Sequence, residues 1–103
     1  MQILNYTGSS ITVDSGLGYK VLTFNGHARC NITLKRKVDI DMTIIYRREY
    51  SKVEGLPYPD PNFQKLYIVS KEVAEAAQPR FDLLVAEGPE ISNGVSYYKL
   101  VNV

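Results

Sequence analysis

The pattern of hydrophobic and polar positions predicts a chain built mainly of short β-strands. Residues 38–42 alternate apolar and polar side chains with a period of two, and residues 43–46 continue the run. Such alternation is typical of an antiparallel strand with one buried and one solvated face. Alternation, β-branched side chains and short apolar runs predict further strands at residues 2–6, 11–13, 19–24, 28–34, 66–69, 81–86 and 95–103.

Glycine, asparagine and clustered charge predict where these strands turn. Asn25-Gly26 is the strongest short hairpin signal, because a type I′ turn needs positive φ at both central positions. Further turns are expected at residues 35–37, 88–89 and 92–94, since exposed charge, proline and glycine all favour them.

One short helix and one long irregular loop complete the prediction. Ser70 is expected to cap a helix over residues 71–77, which are rich in strong helix formers, and Pro79 ends it. Three prolines between residues 53 and 63 exclude regular structure there and predict a surface loop. We expect the apolar side chains of this loop to pin it to the core, namely Leu56, Tyr58 and Phe63.

These elements predict an α+β fold that is mainly antiparallel β, a bent sheet or small barrel, with one short helix near residues 70–77. A length of 103 residues fits a single domain over residues 1–103, because a second core would leave each half too small. A sheet of this size keeps at least one open edge. Pairing that edge in a homodimer would remove the aggregation risk, so a homodimer is expected.

Charge and cysteine content narrow the choice of partners and compartment. The net charge of +1 gives no long-range attraction to nucleic acid or to anionic membranes, and neither is expected as a partner. The charge is unevenly spread, because residues 29–52 hold seven bases against three acids and residues 53–103 hold four against seven. One cysteine, no signal-peptide pattern and no bilayer-length apolar run predict a cytoplasmic location.

The side chains available for chemistry are few. His27 is the only histidine, and His27-x-x-Cys30 falls far short of a zinc ligand set. Asp39 and Asp41 share one face of the predicted strand, where solvated carboxylates are the commoner interpretation. We therefore expect no enzyme and no cofactor, unless Asp39, Asp41 and Asp82 converge on a metal ion.

Arginines and tyrosines are better candidates for a binding site. Guanidinium groups bind phosphate through paired hydrogen bonds, which makes Arg29 and Arg80 candidate phosphate ligands beside Asp82. Among eight tyrosines, Tyr50 and Tyr67 are the candidates for stacking on a base. Ser70, at the start of the helix, would add hydrogen-bond donors. A structural alternative stays open for each, with Arg80 and Asp82 pinning a loop and Ser70 acting only as a cap.

Several short motifs follow one another along the chain: Ile3, Asn5 and Thr7, Gly26 with Ala28-Arg29, Val53-Glu54-Gly55-Leu56-Pro57, Tyr67-Ile68-Val69-Ser70, Val73-Ala74 with Ala76, Arg80 with Asp82, and Gly88-Pro89. In this order they resemble a family of small phage and prophage proteins of unsettled function. The chain departs from the family pattern where Gly8-Ser9 replaces Pro-His and where Phe24-Asn25 replaces Pro-Ser.

The resemblance implies a phage accessory protein in the cytoplasm of the host cell, acting against host defences. Our leading hypothesis is a non-catalytic protein that sequesters a phosphate-bearing nucleotide signal of host immunity. The alternative is an inhibitor that binds a host defence or regulatory protein through the proline-rich loop and exposed tyrosines. A minor structural component of the virion is a third hypothesis. The first predicts an arginine-lined pocket, and the second a flat or protruding patch.

Overall fold

Eight strands and one helix make up the chain, and a computed structural model describes residues 1–103. The elements are β1 Gln2–Asn5, β2 Ile11–Asp14, β3 Tyr19–Leu22, β4 Ile32–Ile40, β5 Thr43–Tyr50, β6 Lys65–Val69, α1 Lys71–Ala76, β7 Leu83–Ser92 and β8 Val95–Asn102. This β-rich α+β architecture confirms the predicted fold class.

Six of the strands form one curved sheet in the order β1-β6-β7-β8-β2-β3. The bridge between Asn5 and Phe24 joins the two ends of this order, so the sheet is a nearly closed, barrel-like structure. Most paired residues belong to the antiparallel pairs β7–β8, β2–β3 and β4–β5. In contrast, β6 runs parallel to both of its neighbours. The crossover that a parallel pair needs is α1 between β6 and β7, whereas β1 and β6 are joined through residues 6–64.

The helix forms where the sequence predicts it. Ser70 is the N-cap, with extended backbone (φ −66°, ψ 158°), and its Oγ accepts a hydrogen bond from the Val73 amide at 3.2 Å. Val73 and Ala74 form the buried side of α1. With only six residues, this single helix is much too short to cross a bilayer.

The core has two parts, on opposite sides of β6. Tyr67 and Val69 face the helix and pack in one cluster with Ala28, Val73, Ala74 and Leu83. Because neighbouring side chains on a strand point to opposite faces, the buried Ile68 and Leu84 lie on the inner side of the curved sheet. Only eleven of the 103 residues are buried, so the core is too small for every element to pack against it.

The buried side chain of Asn5 helps to close the barrel, beside the backbone hydrogen bond from the Asn25 amide to the Asn5 carbonyl at 2.6 Å. Its Nδ2 donates to the backbone carbonyls of Ser9 at 2.8 Å and Leu22 at 3.0 Å. Its Oδ1 accepts from the Thr7 amide at 3.0 Å and from the Thr7 hydroxyl at 2.6 Å. Asn5 therefore joins the end of β1, the loop that follows it and the end of β3, with no polar atom left unpaired.

Three sequence-predicted turns are wrong, and the first changes the shape of the molecule. Residues 35–37 lie within β4, which continues through a bulge between Arg36 and Val38. The chain turns instead at Asp41 and Met42, which have positive φ angles of 50° and 59°. Consecutive exposed bases favour a turn, but both faces of this strand are solvated and tolerate them. Asp41 consequently lies in the turn and shares no strand face with Asp39.

Two glycine-based predictions fail for local reasons. Gly26 does not have positive φ, so Asn25-Gly26 is not a type I′ turn. The Asn25 side chain instead accepts a hydrogen bond from the Asn5 amide at 3.0 Å, and Gly26 fits against the Tyr6 ring. Gly88-Pro89 is not a turn between strands but an irregularity within β7, where the pairing with β8 shifts.

The loop of residues 53–63 is only partly anchored. Val53 and Leu56 pack against the helix-side core cluster. Tyr58 and Phe63 are largely exposed, so the expectation that they pin the loop is wrong. The turn at Asp60 explains this, because its carboxylate accepts from the Gln64 amide at 2.9 Å and holds the end of the loop by polar contacts.

The β4–β5 hairpin projects from the barrel. Its residues 32–50, referred to below as the arm, pair with each other and with no strand of the main sheet. The molecule consequently measures 54 × 38 × 19 Å, with a radius of gyration of 16.5 Å. A compact chain of this length would have a radius near ~13 Å.

Changing Asn5 to Asp should open the barrel. The substituted carboxylate keeps the shape of the amide but loses the donor for the Ser9 and Leu22 carbonyls, and it would be a buried charge. We expect Asn5→Asp to lower the free energy of unfolding in urea by at least about 2 kcal/mol at neutral pH. Protonation restores one donor, so the loss should shrink as the pH falls toward the carboxyl pKa of the unfolded chain.

The matched control is Asn31→Asp, at an exposed position, which should leave the urea midpoint nearly unchanged. Equal midpoints for both variants would show that the Asn5 network does not hold the barrel closed.

Candidate functional site

Three of the predicted site residues, Arg80, Asp82 and Tyr67, form one cluster under the proline-rich loop. Arg80 binds Asp82 through two parallel hydrogen bonds, Nε to Oδ1 at 2.9 Å and Nη2 to Oδ2 at 2.6 Å. Its remaining terminal nitrogen, Nη1, donates to the Pro57 carbonyl at 2.8 Å. The Arg80 and Asp82 side chains are 15% and 8% exposed, and the guanidinium lies 5.8 Å from the centre of the Tyr67 ring.

This geometry commits Arg80 to the protein itself. All three guanidinium nitrogens already donate within the chain and the side chain is only 15% exposed, so Arg80 has little left to offer a phosphate group. The pair instead ties the loop at Pro57 to the start of β7. The structural alternative for Arg80 and Asp82 is therefore the one that the contacts favour.

Tyr67 is equally enclosed. It is 3% exposed, and its ring meets that of Tyr6 edge to face at 5.4 Å between ring centres. Burial, followed by the nearby Tyr6 and Asp82, raises the pKa of the Tyr67 hydroxyl. A ring in this position has no free face on which a nucleobase could stack.

Arg29 lies on a separate, exposed surface. It pairs with Glu54 at 3.9 Å, and the backbones of the two residues exchange hydrogen bonds of 2.9 and 2.8 Å. Together with Cys30, Lys52 and others it lines a shallow pocket of about 200 Å³. Burial and the charge of Glu72 raise the pKa of the Cys30 thiol, which lowers its reactivity. The pocket therefore offers one or two cations but no aromatic surface.

Tyr50 and Ser70 also have structural partners. The Tyr50 hydroxyl donates to Glu75 of α1, and this hydrogen bond raises the pKa of the hydroxyl. Ser70 caps the helix and borders an open groove of about 500 Å³, whose wall includes Thr7, Ser9 and Tyr98. The six predicted residues thus form no single constellation, because only Arg80, Asp82 and Tyr67 contact one another.

The carboxylates considered for a metal site do not converge. Asp39 lies in β4 and pairs with Arg36, Asp41 lies in the turn, and Asp82 is held by Arg80. No three side chains of His, Cys, Asp or Glu come together in an arrangement that could hold a metal ion.

The arm is the most unusual surface of the molecule, and sequence reasoning did not identify it. Pairing in register places Leu34, Ile44 and Tyr46 on one face and Val38, Ile40 and Ile45 on the other, because the bulge after Arg36 switches the apolar positions of β4. Every one of these side chains is at least 36% exposed, and Leu34 reaches 66%. Both faces of the arm are thus apolar and uncovered.

The signal for this surface was present in the alternating residues 38–46. A half-buried strand needs a neighbour for its apolar face, and the sequence alone assigned that neighbour to the main sheet. In the structure, the arm meets the body at its base, where the Tyr50 hydroxyl donates to Glu75. The backbone pairing of the hairpin ends just outside the arm, where the Ser51 amide donates to the Asn31 carbonyl at 2.8 Å.

The arm is also basic. Residues 32–50 carry five bases and three acids, for a net charge of +2. Three of the bases pair with acids on the arm itself: Lys35 and Arg47 with Glu49, and Arg36 with Asp39. Lys37 and Arg48 form no ion pair. Exposed isoleucines and tyrosine beside free cations are the composition of a protein-binding surface.

Removing the Arg80 guanidinium should be far more costly than removing that of Arg29. Arg80→Ala leaves Asp82 buried without its partner, and we expect a loss of about 3 kcal/mol in the free energy of unfolding. Arg29→Ala removes an exposed ion pair whose side chains are 65% and 69% exposed, and we expect less than about 1 kcal/mol. Urea denaturation of the two variants gives the comparison. Similar losses for both would contradict the structural role of Arg80.

Comparison of the chain with models of protein families, with curated proteins and with solved structures finds no match. The resemblance to phage proteins consequently stays a prediction from the motifs. Any function must be argued from the side chains and surfaces described above, of which the arm is the only one that is both extended and uncovered by the chain.

Proposed function

We propose that this chain is a non-catalytic protein-binding module that engages another protein chain through its arm. The observation that carries the proposal is the arm itself, in which the nine-residue β4 and the eight-residue β5 pair with each other and expose apolar side chains on both faces, with no cover from the body. Protein binding is the alternative hypothesis from the sequence, with the proline-rich loop as the binding surface. Here the binding surface is the hairpin instead.

The low stability expected of an isolated hairpin supports the proposal. A two-stranded hairpin in water is marginally stable by itself, because it buries too little apolar surface to offset the loss of chain entropy. Contiguous exposed apolar surface of this kind marks an interaction site on a folded protein. A partner that covers Leu34, Ile44 and Tyr46 would supply the burial that the chain does not.

The nucleotide hypothesis has less support from the geometry. It requires cations free to bind phosphate and an aromatic face free to stack, but Arg80 and Tyr67 are both occupied within the chain. Arg29 remains accessible, but neither Arg80 nor Tyr67 is free to bind a nucleotide beside it. A ligand screen that found a bound nucleotide would therefore overturn the present proposal.

The setting of this activity follows from the phage resemblance alone. A phage protein that acts by contact would occupy the surface of a host defence or regulatory protein, or would join with other copies of itself. Tyr58, Phe63 and Phe81 form further exposed aromatic positions on the body, available to a partner that extends beyond the arm.

A nucleotide screen should give no stabilisation. We expect cyclic and linear nucleotides, including ADP-ribose derivatives, to leave the melting temperature of the purified chain unchanged. A ligand at 100 times its dissociation constant would add roughly 2.7 kcal/mol, which a thermal-shift assay detects readily. A shift that disappears in Arg29→Ala would replace the protein-binding proposal with nucleotide capture.

Photocrosslinking tests the proposal directly. A photoreactive amino acid placed at Ile44 or Tyr46 of the full chain, expressed in bacterial cells, should give a discrete adduct of higher mass. The matched control is Ile91, an exposed isoleucine on β7 at the far end of another hairpin, which should give none. Absence of an adduct from both arm positions in a folded protein would refute binding through the arm.

A further inference from the structure

Two features of the chain complement each other, and within one molecule they meet only at the base of the arm, where the Tyr50 hydroxyl donates to Glu75. The arm is apolar on both faces and carries a net charge of +2. The segment from residue 53 to residue 103 carries seven acids against four bases. A charge separation of this kind within one sequence favours contact between the basic part of one molecule and the acidic part of another.

The acidic part of the body contains a groove with an apolar floor. Ala74, Val85 and Val101 line it where α1 crosses the ends of β7 and β8. Its charged rim consists of Glu75, Glu87 and Lys71, for a net charge of −1. We call this surface the helix groove. Glu87 forms no ion pair within the chain, so its carboxylate is free for an external cation.

The dimensions of the helix groove suit a single large side chain. Its volume is about 150 Å³, comparable to an apolar cavity that accepts a benzene ring. Tyr46 and Ile44 of the arm, both more than 40% exposed, are side chains of that size. Arg48, opposite Leu34 in the register and on the same face as Tyr46, would then approach the acidic rim.

Electrostatics decides between two ways in which copies could meet. Packing arm against arm would bring two surfaces of net charge +2 together, including the free cations Lys37 and Arg48 of each copy, and like charges in contact are costly. Packing the arm against the helix groove joins opposite charges and covers apolar side chains on both partners. The second arrangement is favoured on both counts.

From these observations we infer that the partner of the arm is a second copy of this chain, with the arm of one copy seated in the helix groove of the other. This inference rests on the proposed protein-binding function and identifies the partner. Each copy offers one arm and one groove, so two copies exchange arms in a closed dimer, or further copies close a ring. The expected homodimer thereby acquires a defined contact.

The test combines the oligomeric state with charge reversal. Sedimentation velocity of the purified full chain, over a concentration series from low micromolar upward, should show reversible assembly into dimers or a small ring. Ile44→Asp should raise the dissociation constant by at least about tenfold, because a charge enters the apolar contact. Ile91→Asp places the same charge at a position outside the contact that is 78% exposed, against 43% for Ile44, and this variant should assemble like the unmodified chain.

Two charge-reversed chains provide the decisive part of the experiment. The double variant Lys37→Glu/Arg48→Glu changes the arm from +2 to −2, and Glu87→Lys/Asn102→Lys changes the rim of the groove from −1 to +2. Each should assemble with itself at least about tenfold more weakly than the unmodified chain. An equimolar mixture should assemble, since one arm and one groove then carry opposite charges. Melting curves confirm that each variant is folded.

Every other result overturns the inference. A chain that sediments as a monomer at all concentrations has no second copy on its arm. Assembly that survives in Ile44→Asp, or a mixture of charge-reversed chains that stays monomeric, places the contact elsewhere. In these cases the photocrosslinking result decides the proposed function separately, because an adduct with a different protein at Ile44 keeps protein binding and excludes only self-association.

Discussion

The hydrogen bonds of one buried residue, Asn5, hold together the two ends of the sheet, through its backbone to Asn25 as well as through its side-chain amide. Strand β1 pairs with β6 on one side only, and β3 pairs with β2 on one side only. The Asn5 side chain bridges this seam by binding the Leu22 carbonyl on one side and Thr7 on the other. Since the seam fixes the curvature of the sheet, the inner positions of Ile68 and Leu84 depend on it. The polar Asn5 thus helps to determine which apolar side chains lie inside the barrel.

Outside the barrel, a second polar cluster organises the surface that the sequence suggested as a ligand site. Arg80 and Asp82 neutralise each other under the proline-rich loop and hold it over Tyr67. A small chain has little apolar surface to bury, and loops of this length need other restraints. The cluster therefore provides stability where burial is insufficient. The same residue types that recognise phosphate serve here as an internal ion pair.

The arm, unlike the Arg80–Asp82 cluster, has few stabilising contacts with the rest of the chain. Its apolar side chains are exposed, its ion pairs lie at the surface, and the body offers it one contact through Tyr50 and Glu75. Under the proposed function, an element with so little internal stabilisation would gain much of its order from its partner, and folding of the arm would be coupled to binding. The body by itself, with eleven buried residues, offers the projecting hairpin little support.

Local physics in the sequence determined the strands, the helix and the general fold class. The cap at Ser70 and the helix formers after it act within a few residues, and the alternation in residues 38–46 is a property of single strands. Partners between strands depend on contacts far apart in sequence, and there the sequence was insufficient. Only the tertiary structure decided that Arg80 is occupied by Asp82, that Asn25 closes the barrel rather than a hairpin, and that the apolar faces of β4 and β5 have no cover. The physical reason is the same in each case: a side chain shows its chemistry in the sequence, but the fold decides which groups surround it.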